Sequence, residues 1–159
     1  METELSPSAK KVQNALREMG LSLEVVELPA STRTALEAAQ AIGCQVGQIV
    51  KSLIFKTKPA GKAVLVLASG ANRVNEKRLE GVIHEIIEKA DAEFVRQQTG
   101  FAIGGVPPVG YNQPIETIID QDLLNYAEIW AAAGTPHAVF RLLPADLVKM
   151  ANGRVMQIT

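Results

Sequence analysis

The sequence predicts an α+β domain with a mostly antiparallel sheet. Helical and extended patterns alternate along the chain, and the connections between them are short and hairpin-like. Residues 49–57 and 63–68 are β-rich stretches separated by a short loop at residues 58–62, which is the pattern of a hairpin. Residues 63–68 (AVLVLA) are apolar on both faces, as a buried central strand is. These observations favour this class over a doubly wound parallel sheet.

Local signals place the remaining elements. Thr34 and Glu37 have the spacing of a capping box, Asn75 and Asp91 are suitable N-caps, and Gly81 is expected to interrupt the third helix. The predicted helices are residues 7–19, 35–42, 76–79, 92–99 and 144–150. The predicted strands are residues 23–28, 49–57, 63–68, 86–87, 115–119, 128–132, 137–142 and 155–158.

Composition restricts the class of protein. The 159 residues suit one domain, residues 1–159, and 47% hydrophobic residues are ample for a core. The net charge of −1 means that any contact with nucleic acid must come from a local basic patch. We expect a cytoplasmic protein without membrane contact. The chain has one cysteine, its N-terminus lacks signal-peptide character, and it has no long apolar run.

Lys51 interrupts an apolar row. In an extended segment it shares a face with Ile49, Leu53 and Phe55, whereas Lys56 lies on the opposite face. A lysine there either extends its head to solvent or is held for a purpose, because an unpaired buried ammonium is costly. Spacing alone leaves both interpretations open and favours the solvent-exposed head.

Residues 103–110 form a second unusual segment. Three glycines and two prolines exclude a helix or a central strand. Glycine lets a backbone approach a ligand closely, and proline fixes the shape of a loop. Such a loop can direct N–H and C=O groups into a cleft, although a structural crossing loop is the more common case.

The nucleophile and metal-ligand residues are few. Cys44 has the setting of an ordinary buried thiol, His137 begins a strand after a turn, and His84 lies in or just after a helix. The chain lacks paired Cys or His ligands for zinc and has no glycine-rich phosphate motif. Neither a metal site nor a glycine-rich phosphate cradle for a nucleotide is expected.

A local basic patch is predicted if the hairpin tip adjoins the helix after Asn75, and an ordinary solvated surface is the equal alternative. Aromatic residues make up only 4% of the chain, so a wide base-stacking surface is not expected and contact is limited to the end of an RNA. The basic residues are Lys56, Lys58, Lys62, Arg73, Lys77 and Arg78.

Taken in order, four stretches resemble the YbaK/EbsC-type aminoacyl-tRNA deacylases, which are related to the editing domain of bacterial prolyl-tRNA synthetase. The resemblance covers roughly residues 8–151. It rests on residues 34–39, residues 47–56, residues 99–101 with 104–110, and residues 132–134 with 143–147. The lysine that is invariant in the family matches Lys51, and the GxxxP loop of the family matches residues 104–108.

The resemblance implies a barrel-like sheet surrounded by helices, hydrolysis of mischarged aminoacyl-tRNA in trans, and no cofactor. Loop backbone groups would position the carbonyl and a water molecule, while Lys51 would hold the terminal phosphate or the carbonyl. The segment that often reads Gly-Asp-x-Arg in the family is Gly70-Ala71-Asn72-Arg73 here, so the acidic residue is missing. The expected catalytic residues are Lys51, Gly104 and Gly105, and the expected substrate-binding residues are Asn72, Arg73, Val106, Pro107, Pro108, Gly134 and His137.

The expected partners are the acceptor end of an aminoacyl-tRNA and, as a further candidate, an aminoacyl-tRNA synthetase; DNA is not expected. The main alternative is a non-catalytic module of the same fold that binds a tRNA end, a synthetase or a nucleotide. A thiol enzyme that uses Cys44 and His137 ranks third.

Overall fold

The computed structural model describes residues 4–159 and confirms the α+β class. The helices are α1 (Pro7–Glu18), α2 (Ala35–Ile42), α3 (Glu76–Ile83), α4 (Ala92–Thr99) and α5 (Pro144–Ala151). The strands are β1 (Val25–Glu27), β2 (Ile49–Lys58), β3 (Ala63–Ser69), β4 (Ile86–Lys89), β5 (Glu116–Asp120), β6 (Ile129–Ala132), β7 (Ala138–Leu142) and β8 (Arg154–Met156). Short 3-10 helices occupy Val46–Gln48 and Gln121–Asn125.

The predicted helix caps are largely confirmed. The Thr34 hydroxyl accepts a hydrogen bond from the Glu37 N–H at 3.1 Å, and the Asp91 carboxylate accepts one from the Phe94 N–H at 2.8 Å. The prediction for Gly81 is wrong, because α3 continues through it and ends at His84, whose backbone is left-handed with φ of 66°. A glycine in the interior of a helix weakens the helix but does not have to end it.

The eight strands form one sheet in the order β1-β7-β6-β2-β3-β5-β8, and β4 pairs with β2 beside that path. Within residues 4–159, four strand pairs are antiparallel and three are parallel. The hairpin of β2 and β3 is confirmed, with Lys51 opposite Ala68. The sheet is not closed, since β1 and β8 lie at its two ends.

Two apolar clusters cover the two faces of the hairpin. Val50 and Ile54 belong to the larger cluster, together with Phe140 and α1 side chains. Leu53 and Phe55 pack in a second cluster with Leu79 of α3. Lys51 therefore lies on the face of β2 that carries Leu53 and Phe55, as the alternation predicts. None of the helices in residues 4–159 combines the length and apolar character that a membrane span requires.

Candidate active site

The site is built on a break in the pairing of β2. β3 pairs with β2 over most of its length, from Val50 to Lys56. On the other side, β6 pairs only with Ile49 and Val50, and β4 pairs only from Phe55 onward. No strand of the described chain lies opposite the intervening residues 51–54 on that side. A cleft of about 820 Å³ lies here, lined by residues from both faces of β2.

Lys51 lies in this cleft with its side chain half-buried. Its ammonium donates a 2.6 Å hydrogen bond to the backbone carbonyl oxygen of Asn72. Burial is the main cause that lowers the pKa of Lys51 below its usual 10.5, and the positive charge of Arg73 lowers it further, while the Asp120 carboxylate opposes the shift. Within residues 4–159 the lysine head is thus held by one carbonyl and by no carboxylate in direct contact.

Asn72 is positioned by two acidic residues. Its amide Nδ2 donates to the carboxylates of Asp120 at 2.9 Å and Asp122 at 2.8 Å. The buried Asp120 also accepts hydrogen bonds from the backbone N–H groups of Ser69, at 2.9 Å, and of Asp122, at 3.0 Å. This network fixes the turn between β3 and α3, and with it the carbonyl that accepts from Lys51.

The cleft carries more positive than negative side chains. Arg33, Arg73 and Lys89 line it together with Lys51, and Glu76 is the one acidic residue among its lining residues. Arg33, Lys89 and Trp130 were not singled out from the sequence, since nothing local distinguishes them. They come together because the segment before α2, the end of β4 and the strand β6 meet at the break in the sheet.

Part of the glycine- and proline-rich loop reaches the cleft. Gly104 and Val106 line it, and the backbone of Gly104 has φ of 96° with the Arg33 side chain packed against it. Gly105 does not line the cleft; its carbonyl oxygen accepts a 2.8 Å hydrogen bond from the Gly134 N–H. A Cβ on Gly105 would lie 2.7 Å from the Thr135 backbone nitrogen, so the two loops are in direct contact.

The remaining loop residues are structural neighbours of the site. Pro107 and Pro108 are buried and do not line the cleft, and the Pro107 carbonyl oxygen accepts a hydrogen bond from the Tyr111 hydroxyl. Gly134 lies against the backbone of Ser8, where a Cβ would be 2.6 Å from the Ser8 carbonyl oxygen. These residues support the shape of the loop and do not line the cleft, and their predicted part in substrate binding stays a prediction.

His137 and Cys44 lie outside the lining of the cleft. The His137 ring is exposed, with Nδ1 at 3.1 Å from the Ala30 carbonyl oxygen. Burial raises the pKa of the half-buried Cys44 thiol, which is opposite to the activation that a nucleophilic thiolate needs. Across residues 4–159 no three His, Cys, Asp or Glu side chains gather as metal ligands would.

The basic residues grouped in the sequence are only partly grouped in space. Arg73 lines the cleft, but Lys58 forms an ion pair with Glu88 at 2.9 Å, and Arg78 donates to the Thr159 carbonyl oxygen at 2.8 Å. Lys56 lies over the ring of Phe94. The positive surface at the site is therefore formed by Arg33, Lys51, Arg73 and Lys89, of which the sequence grouping contained one.

Comparison with known proteins identifies the family. Residues 29–150 match the model of the aminoacyl-tRNA editing domain. A crystal structure of a candidate trans-editing enzyme for prolyl-tRNA synthetase is 52% identical, with a TM-score of 0.92, and covers 98% of this chain and 99% of that chain.

Two sequence relatives agree with that match. The proline–tRNA ligase of Bacillus licheniformis is 37% identical over 113 residues, which are 70% of this chain and only 19% of the ligase. The candidate Cys-tRNA(Pro)/Cys-tRNA(Cys) deacylase EbsC of Enterococcus faecalis is 23% identical over 126 residues, which are 79% of this chain and 77% of that protein. The chain belongs to the aminoacyl-tRNA editing domain family and is of the YbaK/EbsC type.

Proposed function

We propose that this protein is a free-standing hydrolase that cleaves the ester bond of mischarged aminoacyl-tRNA in trans. The observation that carries the proposal is the cleft in which the Lys51 ammonium, Arg73 and the Gly104 backbone line one cavity. Membership of the editing domain family and the likeness to a candidate trans-editing enzyme support it. We propose that residues 1–159 act as one domain and that the protein works in the cytoplasm, where aminoacyl-tRNA is made and used.

The reaction needs little from side chains. A water molecule adds to the ester carbonyl carbon, the carbonyl oxygen becomes an oxyanion, and the bond to the ribose oxygen then breaks as that oxygen takes a proton. The products are the free amino acid and tRNA with its terminal ribose hydroxyl restored. Backbone groups of the loop that begins at Gly104 would orient the carbonyl and the water, and the vicinal ribose hydroxyl would assist the proton transfer.

Lys51 is proposed to hold the terminal phosphate or the developing oxyanion. An ammonium group has three donor hydrogens, and the Asn72 carbonyl oxygen takes one of them, which leaves two for substrate. Removing a single oxyanion donor typically costs about 3–4 kcal/mol of transition-state stabilisation. A half-buried ammonium is suited to this role because water screens it less than it screens a surface lysine.

The surrounding cations are proposed to bind the acceptor end. Arg33, Arg73 and Lys89 line the cleft around Lys51, and phosphate groups bind such clusters through charge-assisted hydrogen bonds. The aminoacyl-tRNA acceptor end is therefore the proposed ligand. A synthetase that delivers the substrate is a further proposed partner, supported by the resemblance to part of a proline–tRNA ligase.

The direct test measures deacylation of a panel of mischarged tRNAs by the purified protein. We expect hydrolysis of at least one small aminoacyl ester and strong loss in Lys51→Met, which keeps the length of the side chain and removes the charge. Tight tRNA binding without hydrolysis of any ester in the panel would instead indicate the non-catalytic module. A chelator and Cys44→Ala serve as controls, and both are expected to leave hydrolysis unchanged.

A further inference from the structure

The break in the pairing of β2 exposes the backbone of one residue, Ser52. The Ile49 carbonyl oxygen accepts from the Gly70 N–H at 2.7 Å, on the β3 side. The Ile54 carbonyl oxygen accepts from the Ala90 N–H at 3.1 Å, on the opposite side. Because backbone groups alternate in direction along a strand, Ser52 directs its N–H and C=O to the same side as Ile54. That side is the break, where neither β6 nor β4 reaches Ser52.

The side chain of Ser52 is also without a partner. Its Oγ is buried and makes no hydrogen bond with the described part of the chain. Buried polar groups in folded proteins are nearly always hydrogen-bonded, so an exception at a cleft requires an explanation. The N–H and the C=O of Ser52 thus face the break, in the wall of the cleft that Lys51 and Gly104 also line, and its hydroxyl is buried beside them without a partner.

An α-aminoacyl ester has the shape that matches this residue. It carries the same N–Cα–C=O unit as a residue in a peptide chain. Two residues opposite each other in an antiparallel pair exchange two N–H···O=C bonds through these units. Addition of a chain to an open sheet edge uses the same bonds, and here the edge is wide enough for a single residue.

We propose that Ser52 is the docking residue for the aminoacyl group. Its C=O accepts a hydrogen bond from the α-ammonium of the substrate, and its N–H donates to the ester carbonyl oxygen. The inference rests on the proposed function and specifies which part of the substrate this edge recognises. The N–H contact strengthens as negative charge develops on the carbonyl oxygen, so it assists catalysis as well as binding.

The pairing also sets the direction of the substrate side chain. Residues paired across two strands place their side chains on the same face. The aminoacyl side chain therefore points to the face of Ser52, where Val95 and Val106 line the cleft and pack in the same cluster as Val50 and Ile54. Such a pocket suits a small side chain, and the Ser52 hydroxyl lies beside it. A free α-amino group becomes a requirement, since an acylated amine loses its charge and gains bulk at the contact with the Ser52 carbonyl.

The first test measures binding without turnover. The ligand is 3′-alanylamino-3′-deoxyadenosine, whose amide cannot be hydrolysed as an ester, and its N-acetyl derivative is the control. We expect the Ser52 amide resonance to shift on binding, and we expect the N-acetyl compound to bind at least about 10-fold more weakly. An unshifted Ser52 amide in the presence of saturating ligand would overturn the proposal.

The second test removes the Ser52 N–H by a change in the backbone that leaves the side chain small. Lactic acid, incorporated at position 52, replaces the backbone N–H by an ester oxygen, and Ser52→Ala is its matched control. No strand of the described chain uses this N–H, and the ester only weakens the Lys51 carbonyl as an acceptor toward β3. We therefore expect a melting temperature only slightly below that of Ser52→Ala and a kcat/KM lower by about 10- to 100-fold. A corresponding ester at Leu53, whose N–H faces β3, should instead lower the melting temperature. Equal kcat/KM for the ester and Ser52→Ala would overturn the proposal, as would an equal loss of stability for the two esters.

The two proposals fail in different ways. If the wild-type protein hydrolyses no mischarged tRNA but the Ser52 amide still shifts with the aminoacyl ligand, the proposed function is wrong and the docking residue stands. If the wild-type protein hydrolyses its substrate and the ester at position 52 has no effect on kcat/KM, the docking residue is wrong and the proposed function stands.

Discussion

The Lys51 ammonium is held by the backbone carbonyl oxygen of Asn72, at 2.6 Å, rather than by a carboxylate. The nearby carboxylates of Asp120 and Asp122 affect Lys51 only indirectly, because they bind the Asn72 side chain. Among the residues that the structure describes, no direct ion pair neutralises the charge of Lys51. This arrangement keeps the ammonium available to an anionic or carbonyl ligand, and it connects Lys51 to the turn between β3 and α3.

Asn72 is predicted to be a positioning residue for Lys51. Asn72→Ala leaves two acidic side chains without their shared donor, and we expect a loss of about 1–3 kcal/mol in the free energy of unfolding. We also expect a lower kcat/KM at a temperature where the variant is fully folded. Asn14→Ala is the control, because Asn14 is exposed on α1 and its stability change should stay within about 0.5 kcal/mol. Unchanged kcat/KM in Asn72→Ala would remove Asn72 from the site.

The stability of the protein is predicted to depend on pH through Lys51. Folding lowers the pKa of Lys51, so between that lowered value and the ordinary 10.5 the unfolded chain binds more protons and stability rises with pH. Below the lowered pKa, Lys51 is charged in the folded protein as well, and the partial burial of this charge lowers the free energy of unfolding by its full amount. Lys51→Met should therefore be more stable than wild type at neutral pH, and this advantage should shrink as the pH rises toward 10.5. Urea unfolding of both proteins over this range checks the prediction, and a constant difference would contradict it.

Gly104 and Gly105 are predicted to differ in how substitution by alanine affects stability. Gly105→Ala places a Cβ 2.7 Å from the Thr135 backbone nitrogen, so we expect a stability loss of about 1–3 kcal/mol or more. Gly104→Ala meets the flexible Arg33 side chain instead, but its φ of 96° adds a strain of about 1–3 kcal/mol.

Circular dichroism melts and deacylation rates separate these effects. Gly104→Ala should retain the fold and lose turnover, because the backbone at the cleft and the Arg33 side chain both move. Gly81→Ala is the control, because a Cβ at this position of α3 would meet no other described part of the chain within 4 Å beyond its own helix backbone and its sequence neighbours. Alanine should raise helix stability there by up to about 1 kcal/mol. Normal turnover in Gly104→Ala would show that the loop only connects structural elements and takes no part in hydrolysis.

Binding of tRNA is predicted to depend on salt despite the net charge of −1. Each phosphate contact adds about one unit to the slope of log affinity against log salt concentration. Arg73→Ala should reduce that slope by about one unit, since Arg73 lines the cleft. Lys58→Ala is the control, because Lys58 is already paired with Glu88 outside the cleft. A slope near zero for the wild-type protein would contradict the proposed acceptor-end contact.

Local patterns were sufficient for features that depend on neighbours in sequence. Lys51 stands out because a charge interrupts an apolar row, and the helix after Thr34 is recognisable from its cap. The prediction that Gly81 interrupts α3 is wrong, because its backbone does not need a left-handed conformation. The helix ends three residues later at His84. Propensity alone does not say which of two nearby candidates ends a helix.

Other features depend on pairing between distant segments and could not be predicted. Asp120 reaches the Ser69 N–H from 51 residues away, because β5 lies beside β3. Ser52 is ordinary in sequence, and its open backbone arises only because β6 and β4 stop short of each other along β2. The same pairing brings Arg33 and Lys89 to the cleft and leaves His137 outside it.

The role of Lys51 in hydrolysis is tested by the Lys51→Ala variant, whose thermal melt is measured together with its deacylation of the preferred substrate. The lost charge-assisted contact is worth about 1.5–3 kcal/mol, which corresponds to a fall of about 10- to 150-fold in kcat/KM. We expect Lys51→Arg to retain only part of the activity, because the planar guanidinium group replaces the compact ammonium group. Lys56→Ala, on the opposite face of β2 and outside the cleft, is the matched control and should keep its activity. We expect the Lys51→Ala variant to melt no earlier than wild type and to hydrolyse the substrate much more slowly. A variant that is stable and fully active, or one whose activity falls only in proportion to early melting, would contradict this role.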